Sequence, residues 1–122
     1  KIYSTEVKYM TDIEKCTLCG LCKANCPIYK VLLEEKYSPR GKAMLIKKEI
    51  LSTTFYDCTL CGACEVECPV DINIDIRKMR NKLVEKGMET PANKKMIENV
   101  RKYGNPFGKI EKGKIPKELY CC

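Results

Sequence analysis

The chain has 122 residues, 44% of them hydrophobic and 32% charged, and its formal net charge is +7. This length leaves room for one compact domain, and the ordinary hydrophobic content argues against a disordered chain. The positive charge does not indicate nucleic-acid binding, because the lysines alternate with glutamates and no basic-plus-aromatic stripe accompanies them.

The predicted elements in the first half of the chain are helical. Residues 5–14 carry apolar residues at helical spacing, which predicts a short helix. A second short helix follows Pro27, with apolar residues at Ile28, Val31, Leu32 and Leu33. Ser38 and Pro39 are typical of an N-cap and the first helical position, and this helix is predicted to run to about Leu51.

A further helix is predicted over residues 74–86, with Gly87 just beyond its end. One apolar stripe supports it, formed by Ile76, Met79, Leu83 and Val84. Residues 71–76 alternate Asp or Asn with Ile and are compatible with a strand, but their flanks favour the start of the helix.

The last predicted helix begins at the cap pair Thr90 and Pro91 and ends at Gly104. Residues 105–108 are typical of a turn, and Lys- and Gly-rich sequence comes after them. We therefore expect a mostly α fold, with one domain over residues 1–108 and an extended arm over residues 109–122.

The ten cysteines are the unusual feature of the composition. A first motif, residues 16–27, reads CTLCGLCKANCP, and a second motif, residues 58–69, reads CTLCGACEVECP. The cysteines, Thr, Leu, Gly and Pro of the two motifs match throughout. This repeat predicts two equivalent half-sites related by an approximate two-fold axis.

Each motif supplies the four thiolates of C-x-x-C-x-x-C-x-x-x-C-P, the run that holds [4Fe–4S] clusters in two-cluster proteins. In that pattern the fourth cysteine of each motif ligates the other cluster. The predicted ligands of the first cluster are Cys16, Cys19, Cys22 and Cys68. Those of the second cluster are Cys58, Cys61, Cys64 and Cys26.

Three matched pairs of residues beside these cysteines are predicted to support the cofactors. The glycines let the backbone approach inorganic sulfide, the leucines cover the clusters unless they are plain core residues, and the prolines end the ligand loops and start the next helices. The pairs are Gly20 and Gly62, Leu18 and Leu60, and Pro27 and Pro69.

Zinc and disulfides are the alternative uses of so many cysteines. Zinc sites take C-x-x-C pairs from separate loops, whereas each motif here supplies four cysteines in one run, which is more than that arrangement uses. The polar start of the chain shows no secretory leader, which disfavours a disulfide framework, although a lost leader stays open. The chain has no His, so a Rieske centre and a histidine base are both excluded. Cys121 and Cys122 lie outside the repeat, either as an exposed terminal pair or as part of a further metal site.

The sequence resembles the α-helical ferredoxin module of the heterodisulfide reductase C subunit over roughly residues 13–108. The same module occurs in the iron–sulfur subunits of glycolate oxidase, anaerobic glycerol-3-phosphate dehydrogenase and succinate dehydrogenase. Besides the cysteines, the resemblance rests on residues 37–43, YSPRGKA, and residues 105–108, NPFG.

The resemblance implies a cytoplasmic electron-relay subunit that is not catalytic by itself, either free of the membrane or within a membrane-associated complex. Its implied partners are flavin-containing subunits or cysteine-rich CCG-domain subunits, and no transmembrane segment is expected. The alternative is that the chain is the N-terminal cluster-binding module of a longer oxidoreductase. A free ferredoxin is disfavoured because the chain is basic. Lys15 and Lys23 are the candidate docking residues for an acidic partner.

Overall fold

The computed structural model describes residues 10–116, with only the backbone of residues 10 and 11. It contains six α-helices and three short 3₁₀ helices, and residues 10–116 include no strand, which confirms the mostly α prediction. The α-helices are α1 (Met10–Glu14), α2 (Pro27–Leu32), α3 (Pro39–Lys47), α4 (Ala63–Val66), α5 (Ile76–Glu85) and α6 (Pro91–Tyr103). The 3₁₀ helices are Leu21–Lys23, Glu35–Tyr37 and Thr53–Asp57. Residues 5–9 of the first predicted helix, the end of the arm, Cys121 and Cys122 lie outside the described residues.

The predicted cap pairs begin their helices as expected. The Ser38 hydroxyl accepts a hydrogen bond from the Gly41 backbone N–H at 2.9 Å, and Pro39 is the first residue of α3. The Thr90 hydroxyl accepts from the Asn93 N–H at 3.3 Å at the start of α6. Each cap satisfies a backbone donor that has no partner inside its helix.

The predicted end of α3 at about Leu51 is wrong, because the helix ends at Lys47. Glu49 adopts a left-handed φ of 55°, and the Ile50 N–H donates back to the Leu45 carbonyl at 2.9 Å. This reversal turns the chain away from the helix axis.

Residues 71–75 are neither helix nor paired strand, so the helix start predicted at Ile74 is wrong. The Asp75 carboxylate accepts from the Lys78 N–H at 3.0 Å and so begins α5 at Ile76. The alternation still has a structural meaning, since Ile72, Ile74 and Ile76 are buried while the residues between them are more exposed. An extended segment therefore packs one face on the core.

The two motif prolines lead into different local structures. Pro27 begins α2, with Cys26 as its cap. Pro69 begins no helix, so that prediction is wrong; the Asp71 N–H donates to the Cys68 carbonyl in a turn, and Asp71 has a φ of 50°. The Asp and Asn residues after Pro69 favour turns over helices.

A small hydrophobic core lies beneath both motifs. Its members come from α1, α3, the 3₁₀ helix Thr53–Asp57, the extended segment and α5: Ile13, Ala43, Phe55, Tyr56, Ile72, Ile74, Ile76 and Leu83. Four motif cysteines pack against it, namely Cys16, Cys58, Cys64 and Cys68. The core thus carries the cysteine loops directly.

The predicted apolar face of α2 does not join this core. Val31 and Leu33 are 78% and 72% exposed. Among the helices that the structure describes, none combines the length and apolar character needed to cross a bilayer.

Candidate metal centre

The two motifs follow nearly the same backbone path. Leu18 and Leu60 both have a φ of 58°, and Gly20 and Gly62 have φ values of 88° and 75°. A left-handed conformation costs a residue with a Cβ roughly 1–2 kcal/mol, so each motif holds a strained leucine at the same place. Sequence reasoning missed this strain, because leucine carries no signal for it.

The structure gathers the eight motif cysteines around two small cavities of about 30 Å³ each. The first cavity is lined by all four predicted ligands of the first cluster, Cys16, Cys19, Cys22 and Cys68, and also by Cys64. The second cavity is lined by Cys26, Cys58, Cys61 and Cys64, the predicted ligands of the second cluster. The assignment of individual cysteines to clusters remains a prediction, and each cavity brings together cysteines of both motifs.

The other predicted site residues are divided between the cavities, with one exception. Leu18, Gly20 and Pro69 line the first cavity. Pro27 and Gly62 line the second. Leu60 lines neither and is 39% exposed, so it does not cover the second cavity as predicted.

The cavities suit a cofactor larger than a single ion. All eight cysteines are free thiols. A tetrahedral zinc ion with Zn–S distances of about 2.3 Å requires sulfurs about 4 Å apart. In the part of the chain that the structure describes, no three His, Cys, Asp or Glu side chains converge on a single ion position. The described thiols are therefore not arranged as a preformed single-zinc site.

A buried cation beside the second cavity also fits a negatively charged cofactor. Lys42 lines this cavity, is 3% exposed, and donates from Nζ to the Tyr37 carbonyl at 2.8 Å. None of the carboxylates between residues 12 and 116 forms an ion pair with it. A buried ammonium without an anion is costly, and a [4Fe–4S] core with four thiolates supplies a charge of −2.

Matched cysteines of the two motifs share the direction of their pKa shifts. The backbone N–H of Leu21 lowers the pKa of Cys19, and that of Ala63 lowers the pKa of Cys61. Burial raises the pKa of Cys22 and raises that of Cys64 to about 11. The exposed cysteine of each pair is thus more easily ionised, whereas burial opposes ionisation of the half-buried one.

The segment YSPRGKA builds a charged network beside the first cavity. The Glu35 carboxylate accepts from the Ser38 hydroxyl at 2.9 Å and from the Arg40 Nε at 2.7 Å, and Lys23 Nζ lies 2.7 Å from its other oxygen. The Arg40 guanidinium, helped by Lys23, holds the pKa of Glu35 at about 2, so this carboxylate is ionised at neutral pH. Gly41 permits the arrangement, because a Cβ there would lie 2.0 Å from the Glu35 carbonyl oxygen.

Helix α3 separates the two cavities. Arg40 and Ala43 line the first cavity, and Pro39 and Lys42 line the second. Successive residues of one helical turn therefore meet different sites, and each site receives one cationic side chain from the same turn.

Two basic side chains from later helices hold the backbone where each motif begins. Lys47 of α3 donates from Nζ to the Cys16 carbonyl at 2.9 Å and to the Glu14 carbonyl at 3.2 Å. Arg80 of α5 donates to the Phe55 carbonyl at 3.0 Å and to the Tyr56 carbonyl at 3.1 Å, and its Nη2 also donates to the Cys58 carbonyl. Sequence reasoning missed both, because nothing local distinguishes these cations from the many solvated ones.

Lys23 is not a free docking residue. Its ammonium pairs with Glu35 and lies 4.4 Å from the centre of the Tyr29 ring, and its side chain is mostly buried. Lys15 is exposed, but it pairs with Asp12 at 3.1 Å.

One hydrogen bond joins matched positions of the two motifs. The Asn25 side-chain amide donates to the Glu67 carboxylate at 2.6 Å, and these residues correspond to each other in the repeat. Equivalent positions meet near the axis that relates two copies, as the predicted pseudo-two-fold arrangement requires. The arrangement of the whole domain remains a prediction.

Cysteine loops of this geometry define the class of iron–sulfur electron-transfer proteins. The chain belongs to the 4Fe-4S dicluster domain family, whose model matches residues 12–72, a span that includes both motifs. No curated protein matches the sequence.

Proposed function

We propose that the chain binds two [4Fe–4S] clusters, one at each cavity, and relays single electrons between other proteins. The observation that carries this proposal is the grouping of cysteines from both motifs at each cavity. The second cavity takes three cysteines from the second motif and Cys26 from the first, and the first cavity takes three from the first motif and Cys64 and Cys68 from the second. Because Cys64 borders both cavities, the two clusters would be neighbours.

Each cluster would supply a reversible one-electron acceptor. The chain would contribute sulfur ligands, backbone N–H donors to those sulfurs, and an apolar wall formed by Ala43, Ile72 and Ile74. These features tune a potential and limit the access of water, and none of them makes or breaks a bond in a substrate.

We further propose that this relay is a heterodisulfide reductase C-like subunit of an oxidoreductase complex. Support comes from the segment YSPRGKA, whose side chains connect α3 with both cavities. The proposed partners are flavin-containing or CCG-domain subunits, and capture of such a subunit from native cells by the tagged chain is the test.

The alternative is that the chain is the N-terminal module of a longer oxidoreductase, and the segment NPFG is the observation that favours it. The Asn99 amide donates to the Pro106 carbonyl at 2.9 Å, and a Cβ on Gly108 would lie 3.2 Å from the Asn99 side chain. This turn is therefore fastened to α6, so that the arm after residue 108 leaves the domain from a fixed position. A catalytic cysteine-rich domain in the intact gene product would decide for this alternative.

The first experiment measures iron and acid-labile sulfide after anaerobic purification, together with EPR of the dithionite-reduced protein. Two cubanes require about eight of each per chain, and interacting S = 1/2 signals would show that they are neighbours. About two zinc ions per chain without sulfide would overturn the proposal.

A matched pair of ligand variants tests the crossed ligation. Cys26→Ser is expected to damage the cluster held mainly by the second motif, and Cys68→Ser the cluster held mainly by the first. Each variant should retain one intact cluster with a different EPR spectrum. Identical residual spectra would contradict the crossing.

A further inference from the structure

The two cavities differ in how the positive charges beside them are balanced. At the second cavity, Lys42 is buried and bonds only to a carbonyl, and Arg80 donates to carbonyls and lies 5.5 Å from the centre of the Tyr56 ring. Among the carboxylates that the structure describes, none forms an ion pair with either residue. The charge of Lys42, which lines this cavity, is therefore left for the cofactor, and the charge of Arg80 lies behind the Cys58 carbonyl without an acidic partner among the described residues.

At the first cavity, the corresponding cations already have acidic partners. Arg40 lies 2.7 Å from Glu35, an ionised carboxylate that also binds Lys23. Lys47 lies 4.0 Å from Glu14. The positive field that reaches the first cavity is smaller for this reason.

The remaining charges next to the motif cysteines are more exposed and contribute less. Asp57 and Glu65 adjoin second-motif ligands, and Lys15 and Glu67 adjoin Cys16 and Cys68 in the crossed first set; all four residues are exposed to solvent. Water and salt screen such charges, whereas a buried charge such as that of Lys42 is screened far less.

Two further features act in the same direction at the second cavity. Its sulfurs accept backbone hydrogen bonds at Cys26, from Tyr29 at 3.5 Å, and at Cys58, from Leu60 at 3.4 Å. An open groove also brings solvent to this side; it is bordered by Cys58, Cys64, the carboxylates Glu65 and Asp75, and polar and basic residues of α5. N–H donors and solvent both favour the more negative, reduced form of a cluster.

We infer that the cluster at the second cavity has the higher reduction potential, so that an electron passes from the first site to the second and rests there. This inference depends on the proposed function. In the transfer, one electron leaves the first-site core, which goes from +1 to +2, and enters the second-site core, which goes from +2 to +1. No proton moves. The path is short because Cys64 borders both cavities.

The test is an EPR-monitored redox titration of five proteins that have first been assayed for iron. They are the unaltered chain, Lys42→Gln, Lys42→Arg and Glu35→Gln, with Lys94→Gln on the exposed surface of α6 as the charge control. We expect Lys42→Gln to make reduction of the higher-potential cluster about tenfold less favourable. Its reduction potential would then fall by about 59 mV, since one electron is transferred. Lys42→Arg and the Lys94→Gln control should leave both potentials near their original values.

Glu35→Gln should act on the other cluster and with the opposite sign, because it exposes the first site to the charges of Arg40 and Lys23. We expect the lower reduction potential to rise, so that the difference between the two reduction potentials becomes smaller. Any of three results would overturn the inference. They are a shift of the lower reduction potential in Lys42→Gln, a shift of the higher reduction potential in Glu35→Gln, and two equal reduction potentials in the unaltered chain.

The iron assay separates this outcome from failure of the proposed function. Fewer than about eight irons in the unaltered chain would count against the two clusters themselves. If Lys42→Gln alone fails to load its clusters, Glu35→Gln still decides, since it must raise the lower potential and leave the higher one in place.

Discussion

At the scale of single residues, Gly41 shows how one small side chain supports the charged network. A Cβ at this position would lie 2.0 Å from the Glu35 carbonyl oxygen and 2.8 Å from the Glu35 carbonyl carbon. Both obstacles are backbone atoms, so no side-chain rotation relieves the contact. The glycine is needed for close packing of the 3₁₀ helix Glu35–Tyr37 on α3.

We expect Gly41→Ala to destabilise the protein by about 3 kcal/mol, because the backbone of two elements must separate. Gly87→Ala is the matched control: its φ is 66°, and nothing lies within 4 Å of the added Cβ, so only the conformational cost of about 1 kcal/mol remains. Anaerobic urea unfolding measures both. Equal losses of stability would contradict the packing argument.

At the scale of elements, α5 shows that the buried stripe of a helix is narrower than its set of apolar residues suggests. Leu83 is 0% exposed, whereas its neighbour Val84, predicted on the same stripe, is 42% exposed. Each residue turns the helix by about 100°, which takes Val84 away from the line through Ile76, Met79 and Leu83. The core therefore depends on Leu83 and much less on Val84.

The two neighbouring residues make a matched pair of truncations. Leu83→Ala should reduce the free energy of unfolding by about 2–5 kcal/mol, because a fully buried side chain leaves a cavity. Val84→Ala should change it by about 0.5 kcal/mol or less. Thermal unfolding under anaerobic conditions compares them, and a larger loss in Val84→Ala would show that the helix is rotated differently.

At the scale of the whole molecule, Arg80 connects elements that are far apart in the chain. It reaches from α5 to three carbonyls that lead into the second motif, including that of the predicted ligand Cys58. Lys47 does the same at Cys16 for the first motif. Each cysteine loop is therefore positioned from outside its own motif.

We expect Arg80→Met to impair the second site while leaving the first intact. Under the proposed function, iron per chain should fall from about eight towards four, and the interaction between EPR signals should disappear. Arg80→Lys should restore part of the loss, and Arg101→Met on the exposed face of α6 is the control. Loss of both clusters together would indicate a general folding defect instead.

Much of the local structure could be predicted because its causes are local. The cap pairs Ser38-Pro39 and Thr90-Pro91 begin α3 and α6 as expected, and Gly104 ends α6 with a φ of 72°. Predictions failed where competing contacts decide. Residues 71–75 form no helix because Ile72 and Ile74 pack into the core, and α3 ends at Lys47 because the chain folds back at Glu49.

The sequence by itself determined the cysteine repeat, the mostly helical fold and the kind of cofactor chemistry, because ligand type, ligand spacing and helix caps act over a few residues. Tertiary structure alone decided which charges face each cavity. The ion pair of Arg40 with Glu35, the burial of Lys42 and the reach of Arg80 each join elements that only folding brings together. Charges act through space, so their effect on a site depends on distance and burial and not on the order of residues.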